Sequence, residues 1–164
     1  MGMFDLIKLL TDKEIDFVLV GGLAVALQGY QRVTMDVDIV LAMDSGNLER
    51  FIAAVGNAGL RPTIPVPIES LASPDLIDQW HREKGMLAFS LRGVAAQATV
   101  LDVLVKPVVP YAELRRDAVV VDLGASQVAV ASIPHLIKMK TGTGRGKDAI
   151  DIAELQKLVP GNEP

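Results

Sequence analysis

The chain has no cysteine among its 164 residues. That excludes disulfides and thiolate metal sites and removes any argument for an oxidising compartment. No apolar run approaches the roughly 20 residues of a membrane-spanning helix. The first residues mix Asp5, Asp12 and Glu14 with apolar side chains and lack the basic stretch that leads into a secretory signal. Gly2 is not followed by the Ser or Thr that N-myristoylation favours at the sixth position, where Leu6 stands. A cytoplasmic protein without membrane association is expected. An excess of positive charge is also missing: the net charge of −4 argues against a broad nucleic-acid-binding surface, while permitting a local basic groove. The two histidines, His81 and His135, stand too far apart for ligand spacing, so structural or exposed roles are expected for both. Repeats and low-complexity tracts are absent. With 50% hydrophobic residues, the length suits one core, and a single domain over 1–164 is expected.

What is present begins with Asp36 and Asp38, one residue apart in a run that reads as a buried strand from Asp36 to Leu41. Alternate strand residues share a face, so the carboxylates project together while Val37, Ile39 and Leu41 face the core. Carboxylate oxygens suit Mg²⁺, which is usually held by one or two carboxylates plus substrate phosphates; a phosphoryl or nucleotidyl substrate follows. Taken alone, the same D-x-D reads equally well as ordinary strand-edge or turn aspartates.

Upstream, Ile15 to Val20 reads as a strand, Gly21-Gly22 as a tight turn and Leu23 to Leu27 as a helix start. Glycines at such a junction allow close backbone approach to a ligand, and free N–H groups at a helix start favour an anion there. A plain strand-to-helix turn is the alternative. A third acid, Asp102, interrupts the apolar strand Thr99 to Val105 on the face shared by Val100 and Leu104. Burying an ionised carboxylate without a partner is expensive, so a metal or a cation is expected beside it. Asp122 competes as a third acid, but its place before Leu123-Gly124 is what a turn favours.

The remaining pattern mixes both kinds of element. Phe4 to Leu10 fits an amphipathic helix, Asn47 to Ala58 another capped by Asp44 or Ser45, and Ser73-Pro74-Asp75 opens a helix toward Trp80. Met86 to Leu91 and Thr99 to Val105 can pair as antiparallel strands, and Ala118 to Val121 with Gln127 to Val130 as a hairpin. The sum is an α/β or α+β sheet protein.

Near the end, Lys138, Lys140, Arg145 and Lys147 place four cations within ten residues. Phosphate neutralisation by Lys140 or Arg145 is one reading, and a solvated basic helix end is the other. Arg145, Asp148 and Ile152 lie at helical spacing, so a purely structural Arg–Asp pair is the alternative there. The run Gly142 to Lys147 is not a Walker A loop, since the first glycine position is Thr141 and Asp148 follows the lysine.

Val20-Gly21-Gly22, thirteen intervening residues, Asp36-Val37-Asp38-Ile39, and then Leu101-Asp102-Val103 resemble the signature of the nucleotidyltransferase superfamily related to DNA polymerase β. Gly21 through Gly29, Arg32, Thr34, Asp36 and Asp38, with Leu136 to Lys140, Arg145, Lys147-Asp148 and Asp151-Ile152, are also similar to small bacterial nucleotidyltransferases of the AbiEii toxin type. The resemblance implies a mixed β-sheet flanked by helices. It further implies a nucleotidyltransferase that passes a nucleoside monophosphate from a triphosphate to an acceptor hydroxyl and releases pyrophosphate. Two Mg²⁺ ions would serve it: Asp36 and Asp38 holding the triphosphate's metal, Asp102 completing the acceptor's. Gly21, Gly22, Lys140 and Arg145 would bind the nucleotide, while Arg32 and Thr34 orient Asp38 or a phosphate or serve structure. RNA, another protein or a small molecule is admitted as acceptor, and a homodimer or partner chain as help in shaping its site. The alternative is a partner-gripping component of a toxin–antitoxin pair with little or no catalysis.

Overall fold

In the computed structural model, residues 1–95 and 98–160 are described, so the last four positions of the expected domain lie outside the described residues. Seven strands form one mixed sheet: β1 (Phe17–Val20), β2 (Val37–Leu41), β3 (Arg61–Pro62), β4 (Ala88–Arg92), β5 (Val100–Leu104), β6 (Val119–Asp122) and β7 (Gln127–Val130), in the order β3-β4-β5-β2-β1-β7-β6. β1 runs antiparallel to β2 and parallel to β7, and β2 runs parallel to β5. The expected pairs β4 with β5 and β6 with β7 are both antiparallel.

The helices are α1 (Met3–Asp12), α2 (Gly21–Gln28), α3 (Ser45–Asn57), α4 (Pro74–Lys84), α5 (Tyr111–Asp117), α6 (Ile133–Lys140) and α7 (Gly146–Leu158). None of the described helices is long and apolar enough to cross a membrane. Local chemistry sets their ends. Asp44 accepts the Asn47 backbone N–H at 3.1 Å and caps α3, and Ser73 before Pro74 caps α4, which ends at Gly85 with φ +64°. Asn47 is fully buried and fully used: it accepts from the Asp16 N–H at 2.8 Å and donates to the carbonyls of Asp16 and Ala42 at 2.9 and 2.8 Å. It thereby ties the start of β1 to the end of β2. Asp122 accepts from the Gly124 N–H at 2.8 Å, the turn role its position predicts.

Several elements differ from the sequence reading. The helix after β1 begins at Gly21 itself, so the glycine pair is its first turn rather than a turn before it. β2 begins at Val37, which leaves Asp36 on the approach to the strand and exposed. Helix α5, seven residues with one buried side chain, Leu114, was not expected; so short an element offers periodicity little to detect. The core is built from the sheet and the apolar stripes of the helices, with Phe51 and Phe89 its largest fully buried side chains. α2 packs on β1, β2 and β7 and meets α6 and α7, which brings the C-terminal helices to the same end as the glycine pair.

Candidate functional site

Parallel pairing of β2 with β5 sets Asp38 directly beside Asp102, and β1 places Val20 opposite Asp38 on the other side. Strand alternation sends the flanking Val37, Ile39, Leu101 and Val103 into the core, all fully buried, and leaves both carboxylates half-buried. They open on a cavity of about 600 Å³ lined also by Gly21, Gly22, Asp36, Lys140 and Arg145. All seven residues expected at the site from sequence therefore border one space. Asp122 lies at the far sheet edge on β6, and neither histidine lines the cavity.

Burial and crowded negative charge act together at the centre. The Asp38 carboxyl is pushed up to about 7, first by burial, then by the charge of Asp102 and a hydrogen bond with it, then by the charge of Asp36; Lys140 acts in the opposite sense. Asp102 also accepts a short hydrogen bond from the Ser90 hydroxyl, its neighbour across β4. Among the described residues no three His, Asp or Glu side chains form a ready-made cation cage. The donor set nevertheless suits Mg²⁺, which takes one or two carboxylates and completes its octahedron with water and phosphate oxygens. Such a cation would relieve two hard oxygen donors that repel one another in a half-buried site.

Gly21 adopts φ +71°, and a Cβ there would come within 2.7 Å of the Asp38 carboxylate carbon. Only glycine admits this approach of backbone to carboxylate. At Gly22 a Cβ would lie 3.0 Å from the Thr34 hydroxyl and 3.6 Å from the Arg32 guanidinium carbon. The segment between α2 and β2 is thus folded down onto the first turn of α2.

Of the four C-terminal cations, Lys140 and Arg145 are ion-paired. Lys140 Nζ lies 3.2 Å from Asp148 and 3.0 Å from Asp151, with its side chain 10% exposed. Arg145 Nε donates to Asp148 at 2.7 Å, Thr143 donates to the same oxygen at 2.7 Å, and Arg32 pairs with Asp151. Against burial, which raises it, the hydrogen bonds from Thr143 and Lys140 and the charges of Lys140 and Arg145 hold the Asp148 carboxyl below its usual value. Three cations on two buried carboxylates leave the cluster positive beside the acids. Sequence reasoning found Arg145 with Asp148 but missed Asp151 as the shared anchor and Ser90 as the donor to Asp102. The spacing of Asp148 and Asp151 on one face of α7 was an available signal for the anchor; Ser90 carried none.

No protein-family model matches the sequence, and no curated protein does. Solved structures do match. The lincosamide antibiotic adenylyltransferase LnuA, in its lincomycin-bound form, aligns over 95% of both chains with a TM-score of 0.61 at 15% identity. An antigenic nucleotidyltransferase-like protein from Paracoccidioides brasiliensis aligns over 93% of this chain and 73% of that one, with a TM-score of 0.56 at 19% identity. At these identities the likeness is one of fold: this chain has the nucleotidyltransferase fold.

Proposed function

We propose that the chain uses its nucleotidyltransferase fold as an Mg²⁺-dependent nucleotidyltransferase. The observation that carries this reading is the pairing of Asp38 with Asp102 at the cavity, against the backbone of Gly21. Asp36 and Asp38 would supply carboxylates for a cation that accompanies the triphosphate, and Asp102 would supply one for a cation that serves the acceptor. The chemistry that Mg²⁺ would supply there is neutralisation of phosphate charge and easier loss of the hydroxyl proton. Gly21 and Gly22, as the first turn of α2, present backbone N–H groups to phosphate oxygens. Lys140 and Arg145, oriented by Asp148 and Asp151, offset the charge that gathers on the leaving pyrophosphate. That one chain of this fold is an adenylyltransferase for lincosamide antibiotics supports nucleotidyl transfer to a small molecule.

The test is to incubate the protein with each labelled nucleoside triphosphate and Mg²⁺, with RNA, lysate protein or small hydroxyl compounds as acceptor. Transfer of the labelled monophosphate is expected, and it is lost in Asp36→Ala and Asp38→Ala. A wild type that binds no Mg·triphosphate overturns the reading. Binding without transfer to any acceptor favours instead a partner-gripping module of a toxin–antitoxin pair of the AbiEii type.

A further inference from the structure

Beyond the acids, the cavity turns apolar. On the sheet face that carries Asp102 and its partner Ser90, the next paired row is Leu104 with Ala88, and both line the cavity. Leu87, just before β4, and Val108, just after β5, extend this wall and are 72% and 65% exposed. Large apolar side chains left in water beside a concave polar site mark ligand contact rather than core. The cation of this wall, Lys106, is already ion-paired with Asp78, whose carboxyl it holds below its usual value. The other cations of the cavity lie away from this wall: Arg32, Lys140 and Arg145 in the cluster on Asp148 and Asp151, and Lys147 beside them at the start of α7.

We propose that this wall is the acceptor subsite and that the acceptor is a small hydroxyl compound with an uncharged, apolar body. The inference rests on the nucleotidyl-transfer reading, in which Asp102 serves the acceptor. A nucleic-acid end brings a phosphate with every nucleotide, and this wall offers mainly apolar surface, with a single lysine that faces Asp78, where such a chain needs a row of cations. An apolar body covers Leu87, Leu104 and Val108 and sets its hydroxyl beside Asp102. The hydroxyl oxygen then bonds to the α-phosphorus of the triphosphate, the bond from that phosphorus to the bridging oxygen breaks, and pyrophosphate leaves with the electron pair. The hydroxyl proton is released to solvent.

The experiment uses N-phenyl-1-naphthylamine, a neutral fluorophore, as probe of the wall, with calorimetry of Mg·ATP on the same preparations. Wild type is expected to bind the probe, and the double variant Leu87→Glu, Val108→Glu to bind it at least about tenfold more weakly. Mg·ATP affinity should stay within about twofold in that variant, which also reports an intact fold, and a short single-stranded RNA should not displace the probe. Absence of probe binding, equal binding by the variant, or displacement by RNA overturns the proposal. A parallel fall in Mg·ATP affinity assigns the wall to the nucleobase and overturns it too. Absence of Mg·ATP binding in wild type defeats the transfer reading itself, a result distinct from any change at the wall.

Discussion

Arg32 and Asp151, 119 positions apart in the chain, form an ion pair whose carboxylate side chain is 1% exposed. Because Lys140 also closes on Asp151, this one acid ties the segment before β2 to α6 and α7. Removing one member of a buried charge pair leaves the other uncompensated, at roughly 3–5 kcal/mol. Asp151→Ala is therefore expected to lower unfolding stability by about that much, as read from urea midpoints. A loss under about 1 kcal/mol would show the pair to be solvated in practice.

Asp38 makes the metal-free protein sensitive to pH. Its carboxyl is raised from 3.8 to about 7, so the folded chain keeps a proton that the unfolded chain has lost in between. The contribution of this group to stability is full below the unfolded value and is lost as pH rises to about 7. Denaturant midpoints of metal-free wild type should fall across that window relative to those of Asp38→Asn. Curves that run parallel in the two proteins would contradict the shift.

Gly21→Ala combines a left-handed backbone with a carboxylate in the way. The strain of that conformation is about 1–2 kcal/mol, and the added methyl must displace Asp38. A modest stability loss is expected, together with a fall in Mg·ATP affinity of more than about tenfold. Calorimetry on a variant that melts near wild type yet binds normally would reduce the glycine to a turn former.

Asp102→Asn separates binding from chemistry. The amide keeps the shape and the hydrogen bond to Ser90 but removes the charge. Mg·triphosphate binding should survive within a few-fold, while transfer drops by at least roughly 10²-fold. Undiminished transfer would move the third acid elsewhere.

Local signals made much of this legible. Period-two alternation marked β2 and β5 and set Asp38 and Asp102 on solvent-leaning positions, and the glycine pair marked the start of α2 within two residues. The pairing of β2 with β5 is a long-range event that no local pattern specifies, so sequence alone named both acids without establishing that they touch. The same holds for the anchor at Asp151, whose partner Arg32 lies 119 positions away in the chain. The apolar wall was invisible for the opposite reason. Leu87 and Val108 look like any strand-flanking hydrophobics until their exposure is known.

The register of β2 on β5 makes the core a proofreader of the acids. In this ladder Val37 pairs with Leu101 and Ile39 with Val103, all fully buried, while Asp38 pairs with Asp102. A slip of one residue would turn Asp102 inward, strand a carboxylate in hydrocarbon, and expose Leu101 and Val103. The alternation that hides Leu101 and Val103 is thus the same one that keeps Asp102 on the face of Asp38.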